Sequence, residues 1–136
     1  MSRDRRRPRG SLLGLIGLLA GAGTMHFAAP GAFDRIVPRL LGPPRPWTLM
    51  SGAAELGTAL LLAVPRTRRA GAWTAAVLFV AVFPGNVQMA LDGGVAGAPW
   101  PASSPVASWL RLPLQPVLVW WAWTHTRREP ADVPAE

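Results

Sequence analysis

The separation of arginines from apolar residues limits the fold of this chain more than any other feature. Four apolar runs, about 11–29, 47–64, 71–91 and 106–124, alternate with short basic clusters in 136 residues. At 1.5 Å per residue each run reaches ~27–32 Å, the thickness of a hydrocarbon core. Only 15% of the residues are charged, against about 25% in ordinary soluble domains, which would also scatter their charges through the helices. One membrane domain is expected: an all-α integral membrane four-helix bundle over residues 11–125. A basic tail (1–10) and a C-terminal tail (126–136) flank it, both expected to be disordered.

The net charge of +7 does not point to nucleic acid, because the arginines flank apolar runs as charges facing anionic lipid do. The N-terminal tail (Arg3, Arg5, Arg6, Arg7, Arg9), the second connection (Arg66, Arg68, Arg69) and the C-terminus (Arg127, Arg128) fall on one side. Arg35, Arg39 and Arg45 fall on the other, with Arg111 near it. The positive-inside rule therefore predicts cytoplasmic termini. Every basic residue is Arg and none is Lys, which we read as GC-rich coding and hence a bacterial inner membrane. The absence of Cys excludes disulfides and thiolate-ligated metals within the chain.

The first run has two readings. Its basic start and Ala20-Gly21-Ala22 fit a signal peptide with a cleavage site. The apolar run continues through Met25 and Phe27, however, and Gly14, Gly17, Gly21 and Thr24 share one face, as in a retained helix packed on a neighbour. Between the first two runs, Phe33, Ile36, Val37, Leu40 and Leu41 follow helical spacing and predict a short amphipathic segment broken at Pro38. Pro84 and Gly85 predict a kink in the third run. The loop 92–105 is rich in Gly and Pro. Trp47, Trp73, Trp100, Trp109, Trp120, Trp121 and Trp123 are expected as interfacial anchors.

Glu55 is the anomaly, a lone carboxylate inside a spanning run, where insertion costs roughly 3 kcal/mol. Ser51, Glu55 and Thr58 share a face that should point inward. With the topology above, His26, Glu55, Asn86, Arg111 and Gln115 reach one outer layer from four helices. Each has a bland reading: a paired structural carboxylate, a hydrogen-bonding His, and interhelical amides at Asn86 and Gln115. Arg111 is the expected partner of Glu55. His26 with Glu55 makes two ligands, too few to specify a metal. No catalytic residue is evident.

Several segments in order resemble the DoxX-like family of small four-helix membrane proteins. They are Gly23-Thr-Met-His-Phe-Ala-Ala-Pro30, Phe33-Asp-Arg-Ile-Val-Pro38 and Ser51-Gly-Ala-Ala-Glu-Leu56, then Val64-Pro-Arg-Thr-Arg68, Phe83-Pro-Gly-Asn-Val-Gln-Met-Ala90 and Arg111-Leu-Pro-Leu-Gln115. The resemblance spans roughly residues 23–124. It implies a bacterial inner-membrane bundle associated with another membrane or redox protein, named relatives including a subunit of a thiosulfate:quinone oxidoreductase. Three functions are weighed: a non-enzymatic subunit or scaffold, a binder of a quinone or other lipophilic molecule in the outer half, and a small proton-coupled transporter. The scaffold is the leading expectation, with the lipid bilayer as the sure partner. The sequence sets neither cofactor nor oligomeric state.

Overall fold

A computed structural model describes residues 9–127. The expected tail disorder falls almost wholly on residues outside that range. The described chain is all-α, with no strand among the described residues. Its elements are α1 (Arg9–Ala28), α2 (Pro30–Asp34), a 3-10 turn (Arg39–Leu41), α3 (Pro44–Ala63), α4 (Arg68–Ala81), α5 (Phe83–Leu91) and α6 (Pro105–Thr124).

Local chemistry sets the ends of these elements. Pro44 and Pro46 open α3, where backbone donors have no intrahelical partner and a missing N–H is tolerated. The Ser104 hydroxyl accepts from Ala107 N at 3.3 Å and caps α6. Pro113 and Pro116 lie inside α6 without ending it. The third run divides as expected: α4 stops at Ala81 and α5 starts at Phe83, with Pro84 in its first turn. The first connection forms two short turns on either side of Pro38.

α1 packs on α3, α3 on α4, and α4 and α5 on α6. The hydrophobic core occupies one half of this arrangement. Leu15 and Leu19 of α1 meet Ala59 and Leu62 of α3, Ala72, Ala75, Ala76 and Phe79 of α4, and Ala122 of α6. At that end Trp121 Nε1 donates to Ser11 Oγ at 2.9 Å, and the same hydroxyl lies 3.1 Å from His125 Nε2. Trp121 is thus a packing residue, which corrects its expected role as an anchor. Trp73, Trp100, Trp109 and Trp120 are exposed.

The small-residue stripe on α1 also needs correction in part: Gly14 packs on Trp121 of α6, where a Cβ would stand 3.3 Å from the ring, but the rest of the stripe does not follow. A Cβ at Gly17 or Gly21 would meet nothing within 4 Å, so neither glycine packs on a helix. The close approach is made by Gly23 and Gly52. A Cβ on Gly23 would stand 2.9 Å from the Gly52 carbonyl oxygen, and one on Gly52 would stand 2.6 Å from His26 Cβ. Only hydrogen fits at either position, and the backbones of α1 and α3 cross in contact there.

Among the described residues two helices are long and apolar enough to cross a membrane by length and composition: Arg9–Ala28, with mean hydropathy 1.5, and Arg68–Leu91 (α4 with α5), with 1.6. Four had been expected. α3 and α6 have 20 residues each, but Arg45, Glu55 and three hydroxyl residues dilute the first, and Arg111, Gln115 and three prolines the second.

Candidate functional site

The crossing of α1 on α3 builds the first part of the site. Because Gly23 and Gly52 carry no side chain, His26 and Glu55, each three residues further along its helix, are brought side by side. His26 Nδ1 lies 3.2 Å from Glu55 Oε2. The same nitrogen lies 2.8 Å from the carbonyl oxygen of Ala22, one turn back on α1. Two acceptors beside one ring nitrogen require that nitrogen to carry the hydrogen, which fixes the tautomer. The hydrogen points at Ala22, and Glu55 Oε2 is buried without a hydrogen-bond partner. Glu55 is only 8% exposed, so within the protein this oxygen has the ion-pair distance to His26 and no hydrogen bond, an arrangement that is costly if left alone. The imidazole is held by stacking on Phe33, with centroids 3.7 Å apart and planes at 26°.

Both side chains line a cavity of about 680 Å³, within the range of sites for small molecules. Gly17, Gly21 and Met25 of α1 form part of its wall; Gly85 and Asn86 of α5 and Arg111 of α6 form another. Ser51 and Thr48 continue the Glu55 face of α3, and the connection between α1 and α3 closes the space with Phe33, Ile36, Val37 and Leu41. The cavity occupies the half of the molecule that the apolar core leaves open.

Asp34 fastens that closing segment. Its carboxylate accepts from the Thr48 hydroxyl at 2.6 Å and from Arg45 Nε and Nη2, each at 2.8 Å. The Thr48 hydrogen bond first, and the Arg45 guanidinium second, hold the Asp34 carboxyl below its ordinary value of 3.8, while burial works in the opposite direction. Trp47 Nε1 donates to the Leu41 carbonyl at 3.0 Å, and Arg35 donates to the Ala96 carbonyl in the loop before α6.

The expected polar layer divides into two parts. His26, Glu55, Asn86 and Arg111 line the cavity. Gln115 does not; it faces an apolar groove beside Phe83, Pro116 and Trp120. Asn86 Nδ2 donates to Gln115 Oε1 at 2.9 Å, and Gln115 donates to the carbonyl of Phe79, in the last turn of α4 where intrahelical donors run out. The expected Glu55–Arg111 pair is not formed. Among the described residues the Arg111 guanidinium has one recorded contact, the Met89 sulfur at 3.9 Å. Glu55 instead sits beside His26, because the glycine crossing sets α1 against α3. Thr48, Phe33, Trp47 and Asp34 were not foreseen as site residues. Of these, Thr48 had a signal: seven residues before Glu55, it falls on the same helix face. Among the described residues no group of three or more His, Cys, Asp or Glu converges to hold a metal ion.

An all-α chain with a partly polar cavity at one end of its helices is a class rather than an identity. Residues 15–126 match the family described as Domain of unknown function (DUF8561), and the chain belongs to that family. This overturns the resemblance to the DoxX-like family, which the comparison does not find. The segments that suggested it have local causes in this fold: a helix interruption at Pro84, a basic turn before α4, a proline inside α6. Other small helical chains need the same devices. The expectation of a redox association rested on that resemblance alone. No curated protein and no solved structure matches the chain.

Proposed function

We propose that this protein spans a bacterial inner membrane four times, with both termini cytoplasmic, and binds a small lipophilic molecule in the cavity beside Glu55. The core helix of a soluble protein would be mostly buried; here 22% of the most apolar window of α1 and 28% of that of α4–α5 are buried. α3 and α6 have the same two-sided character. They bury Thr48, Glu55, Thr58, Ser108 and Gln115 and expose Leu49, Met50, Leu60, Leu110, Leu114 and Val117. Apart from the exposed Arg45 and Arg111, the polar groups of these helices face protein and their apolar groups face outward, which suits lipid even where the average hydropathy is modest. α1 fits a retained helix better than a leader, since it carries Leu15, Leu19 and His26 into the interior.

The observation that carries the binding reading is the Glu55 oxygen that lies at ion-pair distance from His26 yet accepts no hydrogen bond, beside a cavity of about 680 Å³. A scaffold would satisfy its buried carboxylate within the protein. The scaffold reading keeps one observation of its own, the chain from Asn86 through Gln115 to Phe79, which ties α5, α6 and α4 without reaching an open space. That part of the layer we assign to packing. The test is purification in patches of native membrane, followed by mass spectrometry of the extracted small molecules. A lipophile enriched to near one per chain over the surrounding bilayer supports binding, and would show whether it is a quinone or something else. An extract indistinguishable from bulk lipid overturns it.

A further inference from the structure

The charges lining the cavity identify its ligand more narrowly, if the binding reading above holds. Glu55 and Arg111 share the lining, and among the described residues no other Asp, Glu or Arg does. They are not within ion-pair distance of each other, although opposite charges in a low-dielectric space attract strongly. Glu55 keeps an oxygen with no donor, because the His26 N–H is directed at Ala22. Arg111 has five N–H donors and, among the described residues, a recorded contact only with a thioether, a weak acceptor. Glu55 has an oxygen without a hydrogen bond, and Arg111, exposed at the cavity rim, has N–H groups not taken by a protein oxygen, on two sides of the same space. Most of the remaining lining is apolar, including Leu18, Met25 and Ile36, and Gly17 and Gly21 leave the α1 wall without side chains.

We propose that the cavity takes a zwitterionic amphiphile, its ammonium N–H groups against Glu55, its anionic oxygen on Arg111 and its hydrocarbon along the bare wall at Gly17 and Gly21. Each charge then meets its complement, and the hydrocarbon meets a surface to which a leucine side chain would add bulk without striking protein. Glu55 sets the choice of cation, since it can accept hydrogen bonds from a primary ammonium and none from a trimethylated one.

The experiment uses the full chain, purified and depleted of lipid in a non-ionic detergent. It is titrated with lysophosphatidylethanolamine and lysophosphatidylcholine of one chain length, with chain-free glycerophosphoethanolamine as a third probe. Charge-assisted hydrogen bonds to a buried carboxylate predict a preference for the ethanolamine lipid of about tenfold or more. Glu55→Gln should abolish that preference, weakening the ethanolamine lipid more than the choline lipid, which loses only the charge attraction. Arg111→Gln should weaken both lipids by a similar factor. Gly17→Leu should weaken both with the thermal midpoint retained, and the chain-free probe should not bind. Equal affinity of the wild type for the two lipids, or a preference that survives Glu55→Gln, overturns the proposal. Binding of the chain-free probe as tightly as the lipid overturns its amphiphile part. If neither lipid binds while another lipophile co-purifies from native membrane, the zwitterion assignment fails and the binding reading stands; if nothing co-purifies, both fail.

Discussion

His26 and Glu55 lie 3.2 Å apart, Nδ1 to Oε2, with no hydrogen bond between them. The imidazole N–H serves the Ala22 carbonyl, so the nearest polar neighbour of the carboxylate leaves it unsatisfied. A buried group kept in that state is a cost to stability, and such costs collect where a protein binds or reacts.

Glu55→Gln should therefore separate stability from binding. The substitution keeps the volume and removes a buried carboxylate oxygen that accepts no hydrogen bond, so the ligand-free protein should melt at the same temperature or higher. Thermal unfolding in detergent without added lipid measures this. A marked fall in the midpoint would show that Glu55 serves the fold.

The α1–α3 crossing should tolerate no added carbon. Gly52→Ala places a methyl 2.6 Å from His26 Cβ and should cost about 1–3 kcal/mol through forced separation of the helices. Gly21→Ala meets nothing within 4 Å and should gain about 0.5–1 kcal/mol from the helix preference of Ala over Gly. Paired unfolding curves of the two variants give the contrast; equal effects would contradict the crossing geometry.

How much of this was legible in the sequence depended on the kind of signal. The positions of α1, α3 and α6 followed from apolar runs of spanning length, the last of them interrupted by Arg111, Pro113 and Pro116, and the break before α5 from Pro84. The inward face of α3 was legible from Ser51, Glu55 and Thr58 at helical spacing. The partner of Glu55 was not. Depth along a helix placed His26 and Arg111 equally well, and only the close approach at Gly23 and Gly52 selects between them. Glycine at an exposed wall and glycine at a crossing look alike in a sequence, which is why Gly17 and Gly21 were expected to pack and Gly23 was passed over.

The Asp34 cluster should make the closing segment sensitive to acid. Its folded-state pKa lies below the ordinary 3.8, so its contribution is complete above that value and is lost as pH falls through the lower folded value. Unfolding midpoints followed from about pH 6 down to about pH 3 should decline at the acid end in the wild type. The decline should be smaller in Asp34→Asn, which already lacks the charge. Parallel declines would mean that other carboxylates set the acid limb.

Gln115 should behave as packing. Gln115→Leu removes the bonds to Asn86 and Phe79 and should cost about 0.6 kcal/mol for each. Ligand affinity should change less than twofold, because Gln115 does not line the cavity. Isothermal titration of this variant beside Glu55→Gln tests the division of the polar layer into a packing part and a binding part.

The most direct test of the central claim is an experimental density map of the protein in native lipid. The account predicts a non-protein feature in the cavity, within hydrogen-bond distance of the Glu55 carboxylate and extending along α1 past Gly21. A cavity without such a feature, in which Arg111 has swung onto Glu55 and satisfied it, would contradict the account.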